Sequence, residues 1–235
     1  MRKAVLSFLA VSIGLVIAGC GGSDDSPPPP PTPVVTTFPV FQSFVNALNR
    51  SETKAFSVSA IISGVTVSGS GTATFGNLTS ATFEGRSALA KTTVVTGTLT
   101  GGGQSLPYGG TSATYVDSSY QPLGQSTASL YGVVSGPVTI PQTASVNSTG
   151  RLYEFNRYTN STKTVRLGTA TVEFALQQET ASTAILKLVT TNKSTTGALE
   201  GTVVENYRLT ATADATRISE QIIVGADSLT ITYGQ

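Results

Sequence analysis

Apolar and small polar residues alternate along most of the chain with a period of two. The pattern is clear from Phe56 through Val58 to Ala60, and it returns in several runs up to Ile231 and Tyr233. Such alternation is typical of antiparallel strands that bury one face and expose the other. Turn-forming stretches rich in Gly, Asn, Asp and Ser separate the runs, and their spacing predicts about eight to eleven strands.

An antiparallel sheet of this size must protect its edge strands. Closure into a barrel, curling into a half-barrel and pairing of two sheets are the solutions that the pattern allows. We therefore predict an all-β fold, a single antiparallel barrel, half-barrel or sandwich, with one short N-terminal helix. The run GSGTATFG at 69–76 lies inside a strand pattern and lacks a lysine. It predicts a bend or bulge and not a phosphate-binding loop.

The one helical pattern covers residues 38–50, with the sequence FPVFQSFVNALNR. Pro39 suits the first turn of a helix. Apolar residues spaced three and four apart fall on one face, and these are Phe38, Phe41, Phe44, Val45 and Leu48. Such a helix either packs outside or across the mouth of the β-structure, or it covers an apolar cavity as a lid. Both arrangements use the same residues.

Between Gly101 and Gly150 the alternation weakens and Gly and Pro become frequent, which predicts loops with short strands among them. Six of the eight tyrosines lie between positions 108 and 158. Loops on a rigid sheet often bind ligands, and Tyr offers a large contact area with a polar tip. The candidate ligand surface consists of Tyr108, Tyr115, Tyr120 and Tyr131. The alternative is that these rings lie in the core at strand ends and only their hydroxyls reach water.

Composition narrows the class of partner. Charged residues make up only 11% of the chain, so Thr and Ser must cover much of the exposed strand surface. Without Arg2 and Lys3, which belong to a segment that we expect to be removed, 12 basic residues stand against 13 acidic ones. This balance gives no reason to expect nucleic acid or an acidic membrane surface as a partner of the folded part.

The first 19 residues have the order of a secretory signal. Arg2 and Lys3 precede an apolar run from Ala4 to Ala18. This run is about 15 residues long, shorter than the roughly 20 residues that a transmembrane helix needs. We therefore predict a cleaved signal peptide over residues 1–19 and not a stop-transfer anchor.

Ile17, Ala18 and Gly19 precede Cys20, which is the only cysteine in the chain. These four residues resemble the lipobox of bacterial lipoproteins, in which an aliphatic residue and two small ones precede an invariant cysteine. The resemblance implies that signal peptidase recognises Ile17, Ala18 and Gly19, that Cys20 is joined to diacylglycerol, and that its freed amine gains another acyl chain such as palmitate. Two or three chains give lasting attachment, and Gly21 in place of Asp implies the outer membrane, on its periplasmic or cell-surface side.

Residues 20–37 form the predicted lipidated cysteine and tether. Five consecutive prolines, Pro27 to Pro31, indicate a stiff polyproline II spacer. A proline run also serves as a ligand for aromatic grooves, but beside a lipid anchor we favour the spacer. Residues 38–235 then form a single β-domain that includes helix 38–50.

The residue types exclude most catalytic chemistry. The absence of His removes Ser-His-Asp and Cys-His catalysis and the commonest zinc sites. Glu173, Glu200 and Glu205 on neighbouring strands are the remaining candidates for a two-carboxylate glycosidase site. Without Trp platforms, we expect them instead to face solvent opposite basic residues such as Lys187 and Arg208. We predict no enzyme, no metal site and no cofactor beyond the covalent lipid.

Four basic residues lie in one predicted hairpin: Arg151, Arg157, Lys163 and Arg166. Charges on an exposed edge strand prevent edge-to-edge pairing, and we favour this interpretation. The alternative is contact with the phosphates of an envelope glycolipid.

These observations predict a lipid-anchored outer-membrane lipoprotein whose β-domain has a non-catalytic binding or envelope-structural role. Its expected partners are the membrane, through the anchor, and a protein, glycan or lipid ligand, but not nucleic acid. A second hypothesis is a carrier of lipid-like apolar ligands in a half-barrel closed by helix 38–50.

Overall fold

The computed structural model describes residues 34–234, so Cys20, the lipobox residues, the signal peptide and most of the predicted tether lie outside the described residues. The described range contains one helix, α1 Val40–Asn49. Its fourteen strands are β1 Thr37–Phe38, β2 Glu52–Ile62, β3 Val65–Phe83, β4 Arg86–Gly101, β5 Gln104–Val116, β6 Pro122–Ser126, β7 Tyr131–Ser135, β8 Ala144–Ser145, β9 Thr149–Tyr158, β10 Arg166–Gln178, β11 Thr183–Ser194, β12 Leu199–Thr210, β13 Ala215–Val224 and β14 Asp227–Tyr233.

Twelve of these strands form a closed antiparallel barrel in the order β10-β11-β12-β13-β14-β2-β3-β4-β5-β6-β7-β9. Pairing of Phe155 with Ala170 closes the ring between β9 and β10, and pairing of Tyr233 with Phe56 joins β14 to β2. The remaining two strands, β1 and β8, form a separate two-stranded sheet. The all-β prediction with one short helix is confirmed. The ring is a closed barrel, and its twelve strands exceed the predicted eight to eleven.

The additional strands come from the Gly- and Pro-rich region, where loops with short strands were expected. That prediction holds for β6, β7 and β8, but β5 is a regular strand of 13 residues. Pro107 and Gly109 weaken its local β signal, yet both pair with residues of β4. Pairing with a long neighbouring strand outweighs weak intrinsic propensity.

Helix α1 is shorter than the predicted 38–50 and turns a different side toward the protein. Phe38 belongs to β1 and is completely buried, while Pro39 occupies the N-cap position. The buried helical residues are Val40, Ser43 and Leu48, whereas Phe41, Phe44 and Val45 are half-buried. The pairing of β1 with β8 removes Phe38 from the helix and thereby shifts its packed face.

The helix packs across one end of the barrel. Asn46 Nδ2 donates to the carbonyl of Ala213 at 2.8 Å, and Arg50 forms an ion pair with Asp214. Ala213 and Asp214 lie in the turn between β12 and β13. Phe38 and Val40 join the barrel's buried apolar cluster together with side chains such as Leu176 and Leu209. We call this end the helix end, and the opposite end, with the turns after β2, β4, β9, β11 and β13, the far end.

A cross-strand row of aromatic residues and glycines shapes the interior near β2. Tyr233, Phe56, Gly71, Gly97 and Tyr108 are successive register partners on five adjacent strands. The ring of Phe56 meets Tyr108 and Tyr233 edge to face, with centroid distances of 6.1 and 6.4 Å. It lies over the two glycines, where a Cβ atom would come within 2.6 Å and 3.1 Å of its Cζ. The glycines therefore leave the space that Phe56 fills.

Two local predictions have opposite outcomes. The glycine-rich run at 69–76 lies inside β3, and the register shift between Phe75 and Leu78 confirms a bulge beside it. The edge interpretation of the basic hairpin is wrong, because β9 and β10 each pair with strands on both sides. Three of its four charges are instead paired within the fold, Arg151 with Glu154 at 2.8 Å, Arg157 with Glu200 at 2.7 Å, and Lys163 with Glu84.

Candidate functional site

A charged cluster lies inside the barrel on β12 and β13. Glu205 and Glu220 are direct cross-strand partners. The register shifts between Asn206 and Tyr207, and Arg217 becomes the partner of Tyr207. Arg217 Nη2 binds Glu220 Oε2 at 2.9 Å and also binds Glu205 Oε1. Two carboxylates therefore share one guanidinium.

Aromatic rings surround this guanidinium. The Cζ atom of Arg217 lies 5.2 Å from the ring centre of Tyr233, 5.8 Å from that of Phe75 and 5.9 Å from that of Tyr207. These distances are within the range of cation–π attraction. The hydroxyls of the two tyrosines each approach one of the carboxylates at 3.4 Å. The guanidinium of Arg217 thus contacts aromatic rings as well as opposite charges.

Burial and charge act on the acidic groups in opposite directions. Burial raises the pKa of Glu220, and the neighbouring Glu205 adds to this effect while Arg217 opposes it. Burial alone would lower the pKa of Arg217, but the nearby Tyr207, Glu205 and Glu220 hold this pKa well above the ordinary value. Arg217 Nε has no hydrogen-bond partner within residues 34–234. Burial and the neighbouring Glu205 therefore favour the protonated form of Glu220, while Arg217 favours its charged form.

The predicted carboxylates are not brought together. Glu173 is exposed, as expected, and Glu200 pairs with Arg157 at 2.7 Å at the far end. The expectation that Glu205 faces solvent is wrong, because the alternation of β12 turns it inward next to Arg217. Arg208 binds Glu179.

Sequence reasoning missed Arg217 and Glu220. They are three positions apart, and residues three apart in a regular strand point to opposite faces. The register shift at Asn206 and Tyr207 adds a residue to β13 between them, so both point inward. A pair of charged residues at this spacing in an otherwise alternating strand is the only local signal of such an irregularity.

Two shallow depressions lie at the far end. One has a volume of about 200 Å³ and the other about 140 Å³. The first is lined mainly by Ile62, Ile222, Val224 and Leu229. The second shares Ile222 and Val224 and adds the Arg157–Glu200 ion pair. Each is smaller than the roughly 300 Å³ at which ordinary small-molecule pockets begin.

Exposed aliphatic side chains surround these depressions. Of the nine large apolar residues that are exposed in the described range, seven lie at strand ends or turns of the far end. The most exposed are Leu199 at 67% and Leu106 at 64%. The set, which we call the apolar rim, consists of Ile61, Ile62, Val65, Leu106, Val165, Leu199 and Val224. Such a concentration of exposed apolar surface usually marks an interaction site.

The four tyrosines of the predicted ligand surface do not form one surface. Tyr115 and Tyr131 stack on Phe83 with centroid distances of 4.5 and 5.2 Å, on the side of the sheet opposite the barrel interior. Tyr131 also donates to Glu84 at 2.8 Å. Tyr108 lies inside the barrel beside Phe56.

The fourth tyrosine, Tyr120, is half-buried in the turn between β5 and β6. Its φ of +61° lies in the left-handed region. Among the ring contacts of residues 34–234, none joins Tyr120 to the stack around Phe83. The four residues occupy three different environments.

Within residues 34–234, no group of three or more Cys, Asp or Glu side chains is arranged to hold a metal ion. No helix of this range is long and apolar enough to cross a membrane. No protein-family model, curated protein or solved structure matches the chain.

Proposed function

We propose that the protein is a lipid-anchored outer-membrane lipoprotein whose barrel is a non-catalytic binding module. The observation that carries the binding role is the apolar rim, which gathers seven of nine exposed large apolar side chains at one end. The anchor is supported by the sequence Ile17-Ala18-Gly19-Cys20. The partner surface is the rim, and not the four tyrosines.

A non-catalytic role is supported by the chemistry of the available groups. The chain has no His, and the interior carboxylates Glu205 and Glu220 are both engaged by Arg217. A general acid and base pair must be available to a substrate, whereas both of these carboxylates are held by the same guanidinium.

The anchor is tested by Cys20→Ser in the full chain expressed in a bacterial host. The wild type should incorporate labelled palmitate and sediment with outer membranes, and the variant should lose both properties. A matched control, Cys20→Ser combined with Ser23→Cys, restores a thiol outside the lipobox and should not restore labelling. Unchanged labelling and sedimentation of the Cys20→Ser variant would contradict the anchor.

A carrier of lipid-like molecules is the second candidate, favoured by the mainly apolar lining of the first depression at the far end. The helix does not act as a lid there, since it packs at the helix end on buried side chains such as Phe38, Leu176 and Leu209. Native mass spectrometry of protein purified from the producing cells tests this candidate. A bound lipid mass would support it, and a mass without lipid after gentle handling would count against it.

A further inference from the structure

We infer that the apolar rim docks on the surface of a lipid bilayer that contains anionic headgroups. This inference rests on the proposed binding role of the rim but is independent of the anchor at Cys20. It assigns a partner to the far end of the barrel.

The rim is distributed over separate strand ends. Ile61, Ile62 and Val65 flank the turn between β2 and β3, and the other members lie at the ends of β5, β12 and β13 or just before β10. Separate aliphatic tips around a barrel mouth suit shallow insertion between acyl chains, because each tip can enter a fluid surface independently. A pre-shaped protein partner would instead need a matching hollow for every tip.

The composition of the rim also favours lipid over protein. All its members are Val, Leu or Ile, and no aromatic residue is among the exposed large apolar residues of the described range. Energetic centres of protein interfaces are enriched in Trp, Tyr and Arg, while Leu and Val are under-represented there. Aliphatic side chains that insert at the boundary between headgroups and acyl chains bury apolar area, and this burial favours binding to the bilayer.

Two exposed cations stand directly beside rim residues. Arg166 follows Val165 in the chain, and Lys193 is the cross-strand partner of Leu199. Within residues 34–234 neither forms a salt bridge; Arg166 donates to the Asn156 amide oxygen at 2.8 Å. Apolar tips flanked by cations are typical of surfaces that bind anionic bilayers.

The acidic groups near the rim are already engaged. Glu200 pairs with Arg157, and Glu84 pairs with Lys163. The Asp227 carboxylate accepts the backbone N–H of Ser63 at 2.7 Å. The exposed Arg166 and Lys193 therefore remain available to lipid phosphates. The near-neutral net charge of the chain gives no reason to expect an acidic partner, but the two cations beside the rim favour one.

The walls next to the rim limit the contact to its tips. Most outward-facing positions of β2, β3 and β4 are exposed hydroxyl residues, among them Ser57, Ser59, Ser68, Ser70 and Thr98. Moving these hydroxyl groups from water into the acyl chains would cost free energy. Docking is therefore peripheral and end-on.

The test uses residues 20–235 with Cys20→Ser, so that no acyl chain contributes, and every described residue is present. Binding is measured by flotation with vesicles of phosphatidylcholine and phosphatidylglycerol, and with vesicles of phosphatidylcholine alone. The protein should float with the anionic vesicles, less with the neutral ones, and less again as salt is raised.

Variants identify the surface responsible. Leu106→Ser combined with Leu199→Ser should weaken binding at least about tenfold, and Arg166→Gln and Lys193→Gln about fivefold each. Val34→Ser and Val94→Ser, which change the two exposed apolar residues outside the rim, should bind as the wild type does. Circular dichroism melting curves of all variants verify folding, since every substituted side chain is exposed.

Three outcomes would overturn the inference. One is the absence of binding to anionic vesicles by folded protein, and another is equal weakening by the rim and control substitutions. The third is a rim-dependent dimer by light scattering without vesicle binding, because the rim would then join two copies of the chain. A failed palmitate experiment leaves this test unaffected, since the protein used here carries no lipid.

Discussion

Glu205 and Glu220 face each other across β12 and β13 inside the barrel, and Arg217 binds both. Burial, with a further contribution from Glu205, raises the pKa of Glu220 above its usual 4.5. A carboxyl group whose pKa is higher in the folded state holds its proton more tightly there than in the unfolded chain. The stability that this proton contributes is complete below about pH 4.5 and is lost as the pH rises through the folded-state pKa.

Replacement Glu220→Gln should therefore stabilise the protein relative to wild type by an amount that grows as the pH rises above about 4.5. The Gln amide has nearly the same size as the Glu carboxylate and places no charge in this half-buried site. Urea unfolding at a series of pH values measures the difference in free energy of unfolding. Glu173→Gln, on the exposed face of β10, is the control and should show no such trend. A difference that stays constant with pH for Glu220→Gln would contradict the raised pKa.

Arg217 holds the cluster together, and its removal should be costly. Arg217→Met leaves two half-buried carboxylates without their cation, which should cost up to about 3–5 kcal/mol, the loss typical of a broken buried pair. Arg151→Met removes a comparable ion pair at an exposed position and should cost less than about 1 kcal/mol. Urea unfolding of both variants at neutral pH measures these losses.

A rescue experiment separates the charge effect from lost packing. Adding Glu205→Gln and Glu220→Gln to Arg217→Met should recover part of the lost stability, because a neutral interior no longer contains uncompensated charge. If the triple variant is no more stable than Arg217→Met alone, the loss reflects packing of the arginine stem. In that case the electrostatic account of the cluster is wrong.

The sequence predicts most of the scaffold because alternation survives wherever strands are regular. The alternating residues Phe56 and Val58 of β2, and Ile231 and Tyr233 of β14, are all buried, as the pattern predicts. Barrel closure could not be chosen over a sandwich, because closure depends on which distant strands meet, such as β9 with β10. Alternation specifies a buried face and not the identity of the neighbouring strand.

The candidate site was less predictable, for local reasons. The bulge in β13 places Arg217 and Glu220 on one face, against the expected alternation. The apolar rim is also hidden from pattern analysis, because exposed Leu106 and Leu199 continue the same apolar pattern as buried residues in their strands. Only their position beyond the packed part of the barrel makes them exposed, and that position is a property of the assembled fold.

Lys91 connects the helix to the barrel wall and should be needed for helix docking. Its ammonium donates to the carbonyls of Leu48 at 3.0 Å, Gly76 at 3.1 Å, and Arg50. Two of these carbonyls belong to the C-terminal end of α1, where backbone acceptors lack partners within the helix. Burial lowers the pKa of Lys91, so the charge is maintained at some cost in exchange for these bonds.

Lys91→Met keeps the length of the side chain but removes all three hydrogen bonds. We expect a loss of about 1–3 kcal/mol in the free energy of unfolding and faster hydrogen exchange of the α1 amides. Lys187→Met, in the middle of β11, should change neither quantity noticeably. Equal effects of the two substitutions would show that Lys91 acts only through its aliphatic stem.

Packing inside the barrel requires glycine at position 71, because the ring of Phe56 occupies the space that a side chain would need. A Cβ atom at this position would collide with the carbonyl oxygen of Thr96 and lie 2.6 Å from Phe56 Cζ. Because the backbone oxygen cannot move without disturbing the ladder between β3 and β4, Gly71→Ala should destabilise the protein by about 1–3 kcal/mol. Gly110→Ala is the matched control in β5, since no atom lies within 4 Å of its added Cβ.

The control substitution should be neutral or slightly stabilising, by up to about 1 kcal/mol, because alanine restricts the unfolded chain more than glycine does. Thermal and urea unfolding of the two variants give the comparison. Phe56→Leu in the Gly71→Ala background removes the ring that meets the new methyl group and should recover the part of the loss that this contact causes. Recovery in that double variant, with none when Phe56→Leu is added to Gly110→Ala, would identify the Phe56 ring as the reason for glycine at position 71. Equal stability of Gly71→Ala and Gly110→Ala would contradict the close packing of β2, β3 and β4 around that ring.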